Sequence, residues 1–108
     1  MKSAAAFALV LITAPDIKTA RALARAALRE KLVACVNLVS RIESHYWWQG
    51  KLERSSEVLL VMKTRRTLIA PLEKLILKEH PYETPEILTL PLSSGTPRYL
   101  AWLTASTS

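Results

Sequence analysis

Residues 33–64 constrain this chain more than any other stretch. Val33 to Val39 is β-forming, His45-Tyr46-Trp47-Trp48 resumes the same character, and residues 52–64 read as a second extended run. Gln49-Gly50 lies between the runs, and a two-residue connection in which Gly is free to take a positive φ marks a tight hairpin. The polar stretch 40–44 predicts a bulge or kink in the first arm. Globular strands usually hold about five or six residues. Arms this long overhang a domain of 108 residues, and their aromatic tip stands in water if the chain is alone. Exposed aromatic strand edges associate unless something covers them. The hairpin therefore calls for a partner surface.

The remaining elements fall on either side of it. Phe7-Ala8-Leu9-Val10-Leu11-Ile12 is apolar without alternation, as in a strand covered on both faces. Asp16 is a good N-cap for a helix over residues 17–31, with Ala20, Leu23, Ala24, Ala27 and Leu28 at helical spacing. Arg21, Arg25 and Arg29 form a stripe four residues apart, read as a solvated face, with an anion-binding stripe as the alternative. Thr67 is placed to cap a second helix over 68–79, with Pro71 tolerable only near its start and His80-Pro81 ending it. Residues 86–92 form another strand, which Pro91 assigns to an edge or strand end. Residues 99–105 close as a short helix carrying Leu100, Trp102 and Leu103. The order β-α-β-β-α-β plus a C-terminal helix is the ferredoxin-like split βαβ arrangement, an α+β fold on an antiparallel sheet. Right-handed crossovers put both long helices on one face. The other face stays bare although its strands are apolar, so identical chains closing into a ring are expected to cover it.

Composition removes several alternatives. Two glycines, Gly50 and Gly95, cannot build a Gly-rich phosphate loop. The single Cys excludes internal disulfides and all-Cys metal clusters, and a lone thiol fits a reducing, cytoplasmic compartment. The net charge of +6 raises nucleic acid as a partner, but the fifteen Lys and Arg are dispersed and the longest basic run is Lys63-Thr64-Arg65-Arg66, so no nucleic-acid partner is expected. No apolar stretch approaches the roughly 20 residues of a membrane span. Met1-Lys2 ahead of residues 4–14 resembles a secretory signal, but Ile12 makes a poor cleavage site and the competing reading is a buried strand. The whole of 1–108 is read as one domain.

Six motifs stand in order: Thr13-Ala14-Pro15-Asp16, Ala34-Cys35-Val36-Asn37, Tyr46-Trp47-Trp48-Gln49-Gly50-Lys51, Met62-Lys63-Thr64, His80-Pro81-Tyr82-Glu83-Thr84-Pro85-Glu86-Ile87 and Tyr99-Leu100-Ala101-Trp102-Leu103. Together they resemble the CutA divalent-cation tolerance family over nearly the whole chain. The resemblance implies a homotrimer whose sheets pack around a threefold axis, with a topology like that of PII signalling proteins. It also implies that residues 7–13 are a central strand, which argues against cleavage after Ala14. It associates the chain with tolerance to divalent metals, copper foremost. Some bacterial relatives carry a Cys before Thr-Ala-Pro-Asp and an extra His before His-Pro-Tyr as copper ligands. Here Ile12 and Glu79 occupy those places, so that soft donor pair is absent.

Within this frame the candidate metal ligands are His80, Cys35 and Glu86. An imidazole suits Cu(II) or zinc and a thiolate suits Cu(I) or zinc. The blander readings are a small hydrophobe for Cys35 and a helix terminator for His80. Glu53, Lys63, Tyr82 and Glu83, with His80 and Glu86, are expected around a cleft where one subunit's hairpin meets a neighbour's final strand. Trp47 and Trp48 alternate across the sheet and, with Trp102, are assigned to the trimer interface. His45 reads as an exposed strand residue. No nucleophile–base pair is recognisable, so no catalytic residue and no required cofactor are expected. The expected function is non-enzymatic binding of divalent ions, Cu(II) first, at intersubunit clefts. The alternative is a PII-like scaffold that binds a small anionic metabolite or a partner protein.

Overall fold

The computed structural model describes residues 1–108. Its elements are β1 (Lys2–Ser3), β2 (Phe7–Ala14), α1 (Ile17–Arg29), β3 (Cys35–Trp48), β4 (Lys51–Arg65), α2 (Ile69–Glu79), β5 (Ile87–Pro91), β6 (Ser94–Gly95) and α3 (Pro97–Ser106). The main sheet is antiparallel in the order β3-β4-β2-β5, the ferredoxin-like order expected for a split βαβ chain. β2 is central, and β5, which ends in Pro91, lies at the edge. No helix is long and apolar enough to cross a membrane.

Register assigns every strand residue to a face, because paired residues share a side. Val10, Ile12 and Ala14 pair with Met62, Leu60 and Val58 and form one core with Ala20, Leu23, Ala24 and Ala27 of α1 and Leu72 and Ile76 of α2. The opposite face carries Leu9 and Leu11, paired with Lys63 and Val61 on β4 and with Leu90 and Leu88 on β5. Leu88 is 56% exposed, and Val39 on the same face is also exposed. At one end of this open face α3 packs Leu100 and Leu103 on Phe7 and Ala4. At the other end the 80–86 segment reaches Thr13 and Glu57, and no helix of the chain covers the stretch between.

Several boundaries differ from the sequence reading. Asp16 caps α1 as expected: its Oδ1 accepts the Thr19 N–H at 2.7 Å, and that bond holds its carboxyl below the usual range. Thr67 does not cap α2. A 3₁₀ turn over Arg66–Leu68 intervenes, and Leu68 precedes the helix without a side-chain cap. The Arg66 N–H is already bonded to the Ala6 carbonyl, which carries the strand straight into the turn. Pro71 sits in the first turn of α2, where its missing N–H costs no bond. α3 begins at Pro97, two residues earlier than expected, because Pro suits the first helical position. The pairing of β1 with β6 was not foreseen.

The hairpin arms are 14 and 15 residues long. Gln49 and Gly50 both take positive φ, as a type I′ turn requires. The bulge lies between Val39 and Ile42, with Arg41 in the left-handed region. One extra residue in β3 there reverses its side-chain parity. Cys35, Asn37 and Val39 are on the open face, and beyond the bulge it is Ile42, Ser44, Tyr46 and Trp48 that share a side with Glu57, Ser55, Glu53 and Lys51. Trp47 and its cross-strand partner Leu52 face the other way, 73% and 68% exposed.

The basic run at 63–66 is not a patch. The Lys63 ammonium donates to Asn37 Oδ1 at 2.6 Å on the open face. Thr64 is buried, and the Arg65 guanidinium donates to the carbonyl and hydroxyl of Thr107.

Candidate functional site

The segment from the end of α2 to the start of β5 is pinned by one imidazole. His80 is buried. Its Nδ1 accepts the Tyr82 backbone N–H at 3.1 Å, so Nδ1 carries no proton, and Nε2 donates to the Thr13 carbonyl at 2.7 Å. Sequence reasoning expected His80 at the helix end, and its backbone does close α2 on Ile76. Its side chain instead reaches the central strand. The Tyr82 ring lies 4.7 Å from the imidazole, and its hydroxyl donates to Glu57 Oε2 at 2.7 Å.

Glu57 is the residue that the sequence reading missed. It is 8% exposed, yet no Lys or Arg pairs with it, and the only ion pair in the chain joins His45 to Glu43. Its signal in the sequence was a carboxylate standing at the head of the apolar run 58–62. Burial of an ionised carboxylate is costly without compensation. Here the compensation within the chain is one phenolic hydrogen bond. That bond, and above all burial, push the Tyr82 phenol far up, so it stays a donor. The carboxyl of Glu86 is also raised, first by burial and then by the negative charge of Glu57.

These groups border a cleft of about 680 Å³ at the Thr13 end of the open face. Glu57, Glu83 and Glu86 supply carboxylates, and Tyr46, Trp48 and Tyr82 supply rings. No Lys or Arg lines it; His45 is on its rim.

The other sequence candidates lie elsewhere. Cys35 pairs with Lys63 and so sits level with Leu9, about 13 Å along the strand from Thr13 at roughly 3.3 Å per residue. Its Sγ is 3.8 Å from the Lys63 ammonium. Glu53 shares the cleft side of the hairpin but falls outside the lining, opposite Tyr46. Lys63 stays with Asn37. Trp48 borders the cleft, Trp47 faces away from it, and Trp102 is half-exposed on α3, its ring 5.4 Å from that of Tyr99. Cys35, His80 and Glu86 therefore do not converge within one chain, and no group of three His, Cys, Asp or Glu forms a metal cluster there. A metal ion on His80 would have to displace a hydrogen bond that the imidazole already makes.

Residues 8–106 match the family model described as CutA1 divalent ion tolerance protein. The chain is 46% identical over 97 residues to the divalent-cation tolerance protein CutA of Escherichia coli, covering 90% of this chain and 87% of that protein. It is 44% identical over 98 residues to the chloroplastic protein CutA of Arabidopsis thaliana, covering 91% of this chain and 54% of that one. The chain thus spans about half the length of the plant relatives it matches. Among solved structures, CutA from Synechococcus elongatus superposes with a TM-score of 0.95 at 34% identity, covering 99% of this chain and 95% of that one. CutA1 from Oryza sativa superposes at 0.92 with 41% identity, covering 94% of each.

Proposed function

The chain belongs to the CutA1 divalent ion tolerance family, and we propose that it works there as a trimeric cation-binding protein rather than an enzyme. The observation that carries this reading is Glu57, a residue only 8% exposed at the wall of an acidic cleft, whose carboxylate has no Lys or Arg to pair with. A divalent ion between Glu57 and Glu86 supplies the missing charge. The raised carboxyl of Glu86 fits the same picture, because a cation relieves both its desolvation and its repulsion from Glu57.

Oxygen donors suit hard and borderline divalent ions. Cu(II) prefers a nitrogen as well, and His45 on the rim offers one if its imidazole leaves Glu43. The bare apolar side of the sheet supports assembly of three copies around it, which would set each cleft beside a neighbouring chain. A reducing, cytoplasmic setting suits the single half-buried thiol of Cys35. The anionic-metabolite alternative has less support, since the cleft offers three carboxylates and no Lys or Arg.

Calorimetric titration of metal-free protein with Cu(II), Zn(II) and Mn(II) tests the reading. Saturable binding is expected, weakened at least tenfold in Glu57→Gln. The pH dependence has a fixed sign. Binding requires ionised carboxylates, and the pKa of Glu86 lies above that of an ordinary Glu. Affinity therefore falls on acidification, and the fall starts at higher pH than an ordinary Glu would give. Absence of saturable binding, or equal affinity in Glu57→Gln, overturns the proposal.

A further inference from the structure

We propose that the cleft between the hairpin and the 80–86 segment also binds an organic ammonium ion, held by the Glu57 carboxylate against the faces of Trp48 and Tyr46. This goes beyond metal handling and needs only the cleft described above. The argument rests on what the walls are made of. A site built for a bare metal ion alone needs lone pairs at short range and gains nothing from indole. Here three aromatic side chains share the lining with the carboxylates. Aromatic faces carry negative quadrupole density and attract a diffuse cation, most strongly when water is excluded.

The second observation is the state of Glu57. The residue is only 8% exposed and lines the cleft. One oxygen, Oε2, accepts the Tyr82 hydroxyl, and no cation of this chain neutralises the charge. The cavity of about 680 Å³ is far larger than a dehydrated metal ion requires and falls within the range of small-molecule pockets.

The bulge makes this possible. Without the extra residue at 40–41, Tyr46 and Trp48 would fall on the side of the sheet opposite Glu57. The tie between Tyr46 Oη and Ser55 Oγ at 3.2 Å then steadies one wall. Tyr82 is fixed at both ends, by its N–H on His80 and its hydroxyl on Glu57. Tyr46 and Tyr82 are thereby pre-organised, which lowers the ordering cost of binding.

The test compares tert-butylammonium with tert-butanol, which has the same shape and no charge. Calorimetry is run on the full chain with EDTA present, so the outcome is independent of any metal site. The ammonium ion is expected to bind saturably and at least tenfold more tightly than the alcohol. Glu57→Gln, which keeps an acceptor for Tyr82, is expected to lower its affinity at least tenfold, and Trp48→Leu at least threefold. Equal binding of the two probes, no saturable binding of the ammonium ion, or full affinity in both variants overturns the inference. Failure here with intact divalent titration in amine-free buffer leaves metal handling standing; the reverse pattern removes metal handling alone.

Discussion

Leu60→Ala is expected to cost about 2–5 kcal/mol of stability, the range for truncating a fully buried Leu. Leu60 is 0% exposed and sits in the central strand pair, level with Ile12 on β2 and Leu38 on β3. Both helices pack on the core it belongs to, so little can collapse into the space left behind. Urea unfolding at fixed protein concentration should show a lower midpoint with an unchanged slope. In a thermal scan the loss corresponds to roughly 10–20 °C for a domain of this size. A change below about 1 kcal/mol would mean that this side of the sheet is not the packed one.

Leu11→Arg should have a comparable effect on a different quantity. Leu11 lies at the middle of the open face, flanked by Val61 and Leu88. A charge there meets water in a separate chain, so the fold survives. In a closed ring the same charge is buried without a partner, at an effective penalty of several kcal/mol per ion. The variant is expected to keep its far-UV circular dichroism and to sediment as a single chain of 12.1 kDa. If it assembled like the parent, the open face would not be the surface that joins the copies.

The element order was legible because each element carries its own period or cap. Residues 7–12 form an unbroken apolar run, α1 has Asp16 and a 3.6-residue apolar stripe, and Gln49-Gly50 permits only a tight turn. The short β1–β6 pair was not, since Lys2, Ser3, Ser94 and Gly95 have none of the branched or aromatic side chains that mark strands. The site was legible only in pieces. Tyr82, Glu83 and Glu86 read from the sequence as residues of a cleft between subunits, and what gathers them within one chain is long-range. The imidazole of His80 reaches a backbone carbonyl 67 positions away, and a carbonyl has no residue-type signature.

Trp48 shows the limit most clearly. Counting alternation from Cys35 puts Trp48 on the helix side of the sheet. One extra residue in the bulge between Val39 and Ile42 reverses that count and places it on the side of Glu57 instead. A polar stretch can announce a bulge, yet it cannot say whether the number of extra residues is odd. Glu57 carries no cleft signal of its own for a related reason. Beside five apolar residues it reads as the start of a strand, and only the face it shares with Tyr46 and Trp48 and its bond to Tyr82 make it the wall of a cleft.

Multi-angle light scattering of the unmodified protein, diluted through the micromolar range, bears most directly on whether copies of this chain cover the bare side of the sheet. The expected mass is three times the 12.1 kDa of one chain, unchanged on dilution. A stable particle of 12.1 kDa would leave Leu11, Leu88 and Val39 facing solvent and contradict the account.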